Sequence, residues 1–134
     1  MLKYMLDTNI CIYLMKEQPD FLVQRFASLR RGEVGISAVT LGELYCGLDR
    51  HNSAAQMTAL LDKLETLPFD DRAAAAFGDL YRRFPGRRGS FDRMIAAHAL
   101  AADATLVTNN AADFTIYVDA GLRVENWAAP AQTT

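Results

Sequence analysis

Four acidic residues lie where apolar runs end or helical segments begin. Asp7 and Glu43 each follow a short apolar run, Asp92 opens a helical segment, and Asp113 comes shortly after the stretch "ATLVT". Clustered carboxylates bind hard divalent cations, and all-oxygen ligation favours Mg²⁺ or Mn²⁺ over Zn²⁺. A cation held in this way activates water and offsets the charge that develops in phosphodiester hydrolysis. The residue types therefore predict an acidic metal site.

Each of these acids also has an ordinary structural explanation. Asp7 suits a helix N-cap, and the spacing from Thr40 to Glu43 is that of a capping box. Asp92 and Asp113 would favour the positive end of a helix dipole. More informative is the expectation that these acids cluster at one edge of the sheet. Each pair of carboxylates about 4 Å apart would destabilise the fold by about 4 kcal/mol at an effective dielectric near 20. A bound cation removes that cost.

Strand-like and helix-like segments alternate along the whole chain. The predicted strands span residues 2–6, 33–37, 67–69, 104–108 and 122–126. The predicted helices span residues 7–16, 20–31, 40–48, 52–66, 71–84 and 91–102, with a turn or short helix at 111–117. This order predicts a parallel sheet with helices on both faces, in which ligands bind beyond the carboxyl ends of the strands.

Polar residues beside the acids are candidates for orienting them. Thr8 and Asn9 follow Asp7 directly, and Thr108 ends the "ATLVT" run. Each could position a carboxylate or a phosphate oxygen. A metal-free ribonuclease would instead need an acid–base pair, most often two histidines. The chain has only two histidines, at positions 51 and 98, in settings that do not favour that route.

The composition predicts one domain over residues 1–127, followed by a short tail over 128–134. Apolar residues make up 51% of the chain, yet no run approaches the roughly 18 residues of a membrane span. The N-terminus lacks the layout of a signal peptide. Cys11 and Cys46 have no CxxC spacing and indicate a reduced compartment. A cytoplasmic protein with no membrane partner is expected.

The net charge of −2 excludes a broadly basic, nucleic-acid-coating surface. A local basic patch is present in "YRRFPGRRGS", which carries Arg82, Arg83, Arg87 and Arg88 around a Pro-Gly turn. The patch has two interpretations, a solvated loop or a contact surface for phosphate groups.

Four ordered motifs, "MLDTNI", "ISAVTLGEL", "GSFDRMIAAHAL" and "TLVTNNAADF", resemble those of the VapC toxins, which are PIN-domain ribonucleases of bacterial type II toxin–antitoxin modules. The resemblance covers essentially the whole chain. It implies a PIN-like three-layer α/β/α sandwich with a central parallel sheet of four to five strands. It also implies Mg²⁺- or Mn²⁺-dependent RNA cleavage, neutralisation by a cognate VapB antitoxin, a homodimer, and a toxin–antitoxin hetero-oligomer.

The resemblance carries the metal ligands of the family to Asp7, Glu43 and Asp92. Many relatives have an aspartate where Asn110 stands, so there are two alternatives: Asp113 supplies the missing charge, or Asn110 completes the site and acts mainly through water. In this interpretation Asp7 and Asp92 hold the principal ion, and the other groups complete its shell or position water. The four arginines before Asp92 would grip the RNA backbone.

Two alternatives remain. Haloacid-dehalogenase-type phosphatases also place an aspartate after a first parallel strand, but they resemble DxDxT there, and this chain has Asn9 at the third position. A non-catalytic PIN-like module would bind RNA or a partner without cutting. A cleavage assay separates these possibilities.

Overall fold

Strands and helices alternate in the computed structural model, which describes residues 1–50, 52–86 and 91–129. The strands are β1 (Tyr4–Leu6), β2 (Val34–Ser37), β3 (Glu65–Leu67), β4 (Thr105–Val107) and β5 (Val124–Glu125). The helices are α1 (Thr8–Met15), α2 (Asp20–Ala27), α3 (Ala38–Cys46), α4 (Ala54–Leu61), α5 (Asp71–Arg83), α6 (Phe91–Ala101) and α7 (Ala111–Phe114). Short 3₁₀ segments cover Arg31–Glu33 and Thr115–Ala120.

The strands form one sheet in the order β3-β2-β1-β4-β5, and every neighbouring pair is parallel. β1 lies at the centre, where Tyr4 pairs with Val34 on one side and with Thr105 on the other. In a parallel sheet all carboxyl ends reach the same edge. The segments that follow β1, β2 and β4 therefore start from one side of the molecule. We call this side the acidic edge, because these segments carry Asp7, Glu43 and Asp113.

Two apolar clusters cover the two faces of the sheet. Alternate strand residues point to opposite faces, so Leu6 and Val107 join one cluster while Met5 and Leu106 join the other. The first cluster contains residues of α1, α2 and α4, and the second contains residues of α5, α6 and α7. The predicted three-layer α/β/α sandwich, with five parallel strands in the described part of the chain, is confirmed.

Gly35 in β2 is required by the close approach of β3. A Cβ atom at this position would lie 2.8 Å from the backbone oxygen of Glu65 and 2.7 Å from Cδ1 of Leu67. Gly35 and Glu65 are paired in the sheet register, so the backbone oxygen has little freedom to move. The absence of a side chain is what allows β2 and β3 to pair.

The prediction of a long helix over residues 52–66 is wrong at its end. α4 stops at Leu61, and residues 65–67, rather than 67–69, form β3. The helical spacing of apolar residues misleads because Leu64 is buried in the same cluster as Leu60 although it lies beyond the helix. The predicted helix 20–31 is also too long, since α2 ends at Ala27.

Within residues 1–50, 52–86 and 91–129, no helix has the length and hydropathy that a bilayer crossing requires. Residues 130–134 of the predicted tail lie outside the described residues.

Candidate active site

Asp7 follows β1 and is only 5% exposed. Its Oδ1 atom accepts a 2.8 Å hydrogen bond from the backbone N–H of Thr8, so the carboxylate caps α1. Its Oδ2 atom accepts a 2.8 Å bond from the hydroxyl of Thr108, the residue after β4. The side chain thus links the ends of two neighbouring strands. Asp7 caps α1 and still lies at the acidic edge, so its role as a helix cap is compatible with its proposed role as a metal ligand.

Glu43 lies in the second turn of α3 rather than in the first. Ser37 caps this helix through its hydroxyl oxygen, so the capping box between Thr40 and Glu43 is wrong: the helix begins three residues earlier than that pairing requires. The Oε1 atom of Glu43 instead accepts a 2.8 Å bond from the hydroxyl of Thr8. Because Thr8 follows Asp7 directly, this bond holds the Glu43 carboxylate near that of Asp7.

Asp92 and Asp113 complete the acidic edge electrostatically. Burial is the main cause that raises the pKa of Asp7, and the negative charge of Asp113 raises it further, while its two hydrogen bonds oppose the shift. Burial also raises the pKa of Glu43; its hydrogen bond from a neighbouring hydroxyl opposes that shift, and the charges of Asp7 and Asp92 add to it. The charges of Asp92 and Asp113 therefore reach Glu43 and Asp7 respectively, although the four acids come from four separate segments of the chain.

These acids do not yet form a closed coordination shell. No group of three acidic, histidine or cysteine side chains among the described residues is arranged to hold a metal ion. The bond from Thr8 occupies one oxygen of Glu43. The donor chemistry nevertheless fits a hard divalent cation, because the donors are carboxylate oxygens whose ionised forms are destabilised without a counter-charge.

Asn9 and Asn110 have different surroundings. Asn9 is partly exposed in the first turn of α1, whereas Asn110 is exposed and precedes α7. The backbone N–H of Asn110 donates a 3.0 Å bond to the Thr108 hydroxyl, which in turn donates to Asp7. Asn110 thus supports Asp7 through its main chain, a contribution that its side-chain type does not reveal.

The arginine patch is only partly described. Arg82 and Arg83 lie in the last turn of α5 with exposed side chains. Each has a loose ion pair with Asp79, at 3.9 Å and 3.5 Å respectively, and such exposed pairs contribute little to stability. Arg87 and Arg88, like His51, fall outside the described residues.

His98 is a packed residue, as its mid-helix position predicts. It is 3% exposed, and its Nδ1 atom lies 2.8 Å from the hydroxyl of Ser37. Burial lowers the pKa of His98, so the ring is neutral at pH 7. A buried, neutral imidazole does not supply a general acid to the acidic edge.

Sequence reasoning missed Arg93, the residue after Asp92. Its side chain is fully buried, and Nη2 donates a 3.0 Å bond to the backbone oxygen of Phe84. Its guanidinium carbon lies 4.9 Å from the ring centroid of Tyr81. The sequence feature that could have indicated its burial is its place directly before the apolar run "MIAAHALA", because Arg93 is one of the buried residues of α6.

Comparisons with known proteins agree with this geometry. The PIN domain family matches residues 4–116. The chain is 38% identical to the "tRNA(fMet)-specific endonuclease VapC" of Shigella flexneri, over 96% of this chain and 100% of the relative. It is 36% identical to the "Ribonuclease VapC2" of Haemophilus influenzae, over 95% and 99% of the two chains.

A solved structure of DNA-bound VapBC from Salmonella typhimurium superimposes with a TM-score of 0.80 at 35% identity, covering 95% of this chain and 99% of that one. None of these similarities favours the phosphatase or the non-catalytic alternative. PIN-domain nucleases generally depend on divalent metal, and the carboxylate oxygens of the acidic edge are donors of the type that a hard divalent cation prefers. The family match and the full-length similarity to ribonucleases agree, and the chain belongs to the PIN-domain family as a nuclease of the VapC group.

Proposed function

We propose that this protein is the toxin of a VapBC module and hydrolyses RNA phosphodiester bonds at the acidic edge. The observation that carries the proposal is the electrostatic coupling at the acidic edge: burial and the charge of Asp113 raise the pKa of Asp7, and burial and the charges of Asp7 and Asp92 raise the pKa of Glu43. By similarity to the Shigella flexneri relative, we infer that the substrate is initiator tRNA, tRNA(fMet). The site of action would be the cytoplasm.

Mg²⁺ is the proposed cofactor, with Mn²⁺ as the alternative. Asp7 and Asp92 would hold the ion, and Glu43 and Asp113 would complete its shell or position the attacking water. When bound, the ion supplies water activation and charge neutralisation. Asp113 rather than Asn110 is the proposed fourth group because a carboxylate is the better ligand for a hard cation.

The neighbouring polar residues would set the geometry of these acids. Thr8 fixes Glu43, and Thr108 fixes Asp7, through the two 2.8 Å hydroxyl bonds. Asn9 is the proposed contact for a phosphate oxygen, because it is partly exposed one residue beyond Thr8. These residues orient the reacting groups without exchanging protons themselves.

Four arginines, at positions 82, 83, 87 and 88, are the proposed contacts to the RNA backbone. The first two end α5 with side chains 73% and 46% exposed, so they can exchange their weak pairs with Asp79 for phosphate. Phosphate contacts of this kind release counterions and make binding depend on salt. Replacing Arg82 and Arg83 with alanine is expected to flatten the salt dependence of RNA binding, and an unchanged slope would exclude the role.

A cognate VapB antitoxin is the proposed protein partner, in a hetero-oligomer built on a toxin homodimer. An apolar groove between α1, α2 and α4, lined by Leu14, Met15, Val23, Phe26 and Leu60, could receive an apolar segment of such a partner. Elsewhere on the antitoxin, a basic side chain would be attracted to the acidic edge, which lies at the other end of α1 from Leu14 and Met15. The solved VapBC complexes of Salmonella typhimurium and Rickettsia felis are the basis for this partner.

The test is cleavage of purified tRNA(fMet) and of total cellular RNA with Mg²⁺, Mn²⁺ or EDTA. The wild-type protein is expected to cut only with metal, and Asp7→Asn is expected to lose at least a hundredfold in rate. A synthetic peptide of the antitoxin C-terminus, added in excess, should inhibit the wild-type reaction.

Equal cleavage by wild type and Asp7→Asn would indicate a contaminating nuclease. A folded, metal-binding protein that cuts neither RNA preparation, after removal of copurified antitoxin, would contradict the proposal. End sequencing of the products then decides whether tRNA(fMet) is the substrate.

A further inference from the structure

Phe91 is an apolar side chain that joins no apolar cluster in the part of the chain that the structure describes. It is the first residue of α6, and it is 58% exposed. An aromatic ring that remains in water gives folding little of the free energy that its burial would provide. Packing among residues 1–50, 52–86 and 91–129 therefore does not explain a phenylalanine at this position.

The ring stands next to the acidic edge. α6 packs against α3, where Nδ1 of His98 lies 2.8 Å from the hydroxyl of Ser37, the cap residue of α3. Asp92 follows Phe91 directly, and its charge acts on Glu43 of α3. The end of α6 that carries Phe91 consequently faces the same region as the proposed ligands. In a nucleotide, only the ribose separates the base from the phosphate. A base adjacent to a phosphate held at the acidic edge is therefore within reach of the neighbouring residue.

A second aromatic ring and a cationic group accompany Phe91 at this end of the helix. Tyr81 is 49% exposed, and its ring contacts the guanidinium of Arg93, which lies two residues beyond Phe91. Arg82, next to Tyr81, has a side chain that is 73% exposed. Exposed aromatic rings interleaved with arginines are the arrangement that binds single-stranded nucleic acid, through stacking on bases and attraction to phosphates.

The charge of the site makes such stacking useful. The acidic edge repels the phosphates of an RNA, and the chain has a net charge of −2. Contacts that do not involve phosphate would therefore add to the affinity that the cation and the arginines proposed above supply. The face of an unpaired base offers one, since stacking on an aromatic side chain is independent of charge and available to every base.

We propose that Phe91 is a base-stacking residue, whose ring receives an unpaired base beside the phosphate held at the acidic edge. The proposal rests on the ribonuclease function proposed above. It assigns Phe91 to substrate binding and positioning, and it predicts a preference for unpaired over base-paired RNA at the cut. The exposed arginine beside Tyr81 favours a polyanionic occupant over an apolar protein surface.

The test measures binding of fluorescein-labelled tRNA(fMet) transcript by fluorescence anisotropy, with every variant in the uncleaving Asp7→Asn background. Phe91→Leu keeps apolar volume but loses the aromatic face, and we expect it to weaken binding roughly 5- to 100-fold. Phe91→Tyr keeps the ring and should bind within twofold of the parent. Phe21→Ala is the matched control, since Phe21 is 41% exposed on α2, and it should leave binding unchanged.

Far-UV circular dichroism and light scattering of each variant accompany the binding data. Leucine and tyrosine variants that bind equally well would overturn the proposal, as would an effect equal to that of Phe21→Ala. A leucine variant whose loss of binding follows dissociation into monomers would make the ring a subunit contact instead. If the parent binds no RNA at all, the ribonuclease function fails first, and that result is distinct from an RNA-binding parent that is insensitive to Phe91.

Discussion

The two oxygens of Asp7 have different partners, and this division explains how one residue can serve both the fold and the chemistry. One oxygen accepts the N–H that a helix start leaves without a partner, and the other accepts the Thr108 hydroxyl. Both bonds favour the ionised carboxylate, yet burial outweighs them and the pKa is raised. The folded protein thus contains a buried carboxylate whose ionised form is destabilised in the absence of a bound cation.

This cost has a measurable consequence for the metal-free protein. Because the folded-state pKa of Asp7 lies above its ordinary value of 3.8, ionisation at neutral pH destabilises the folded state. Asp7→Asn keeps an acceptor for the Thr8 N–H without the charge. In EDTA at pH 7.5 we expect the variant to unfold at a higher urea concentration than the wild type.

The difference should shrink as the pH falls through the folded pKa of Asp7 towards 3.8, because the wild-type carboxyl then becomes neutral as well. Adding Mg²⁺ at pH 7.5 should stabilise the wild type more than the variant. Urea titrations followed by circular dichroism at several pH values test both statements. A wild type that is the more stable protein in EDTA at pH 7.5 would contradict them.

At this scale the sequence revealed residue types but not their partners. Thr8 and Thr108 could be expected to orient a carboxylate, but Thr8 binds Glu43, which lies 35 residues away, and only the folded chain shows this pairing. Arg93 was missed because a charged side chain is ordinarily exposed. Its buried side chain contacts the ring of Tyr81 in α5 and the carbonyl of Phe84, the residue after α5, and no local pattern encodes these contacts.

At the scale of the elements, the close contact of β2 with β3 predicts that alanine substitutions at Gly35 and Gly42 change the unfolding free energy in opposite directions. Gly35→Ala would place a Cβ atom 2.8 Å from the backbone oxygen of Glu65, and we expect a loss of about 1–3 kcal/mol in unfolding free energy. Gly42 is the matched control, because a Cβ atom in this helical position meets nothing within 4 Å.

Gly42→Ala should therefore gain about 0.5–1 kcal/mol from helix propensity alone. The unfolding free energies of both variants, from urea titration, provide the comparison. Equal effects of the two substitutions would contradict the packing argument for β2 and β3.

The positions of most elements follow from the apolar pattern, whereas their ends do not. β1, β2, β4 and α6 lie where alternating apolar and polar stretches predict them. The boundary between α4 and β3 could not be predicted, because Leu64 continues the helical spacing while the chain has already left the helix. Sheet pairing with Gly35, a contact distant in sequence, decides where that strand begins.

For the whole molecule, the parallel order of the strands predicts that acids from separate segments lie at one edge, and the charges that act on Asp7 and Glu43 are consistent with that prediction. The distances within that edge were not predictable, because they depend on hydroxyl bonds and on repulsion between charges. The described acids are coupled without forming a finished metal shell. The sequence therefore predicts where the site lies better than it predicts its geometry.

Trp127 joins distant parts of the chain and should be important for stability. Its ring packs edge-on against Tyr4 of β1, with centroids 5.0 Å apart, and it lies under the guanidinium of Arg25 of α2 at 4.8 Å. The indole N–H donates a 3.0 Å bond to Glu125. Trp127→Ala should cost about 3–5 kcal/mol in unfolding free energy. A cost below about 1 kcal/mol, measured by urea titration, would contradict this role.

The same residue gives the protein an internal optical probe. Trp127 is the only tryptophan in the chain, so all indole emission comes from this one buried position. Its emission should respond to the charges of Arg25 and Glu125 that contact it. Arg25 belongs to α2, the helix that also contributes Val23 and Phe26 to the apolar groove. A partner that enters the groove and shifts α2 should change the colour or intensity of this emission, so its arrival could be timed in the unlabelled protein.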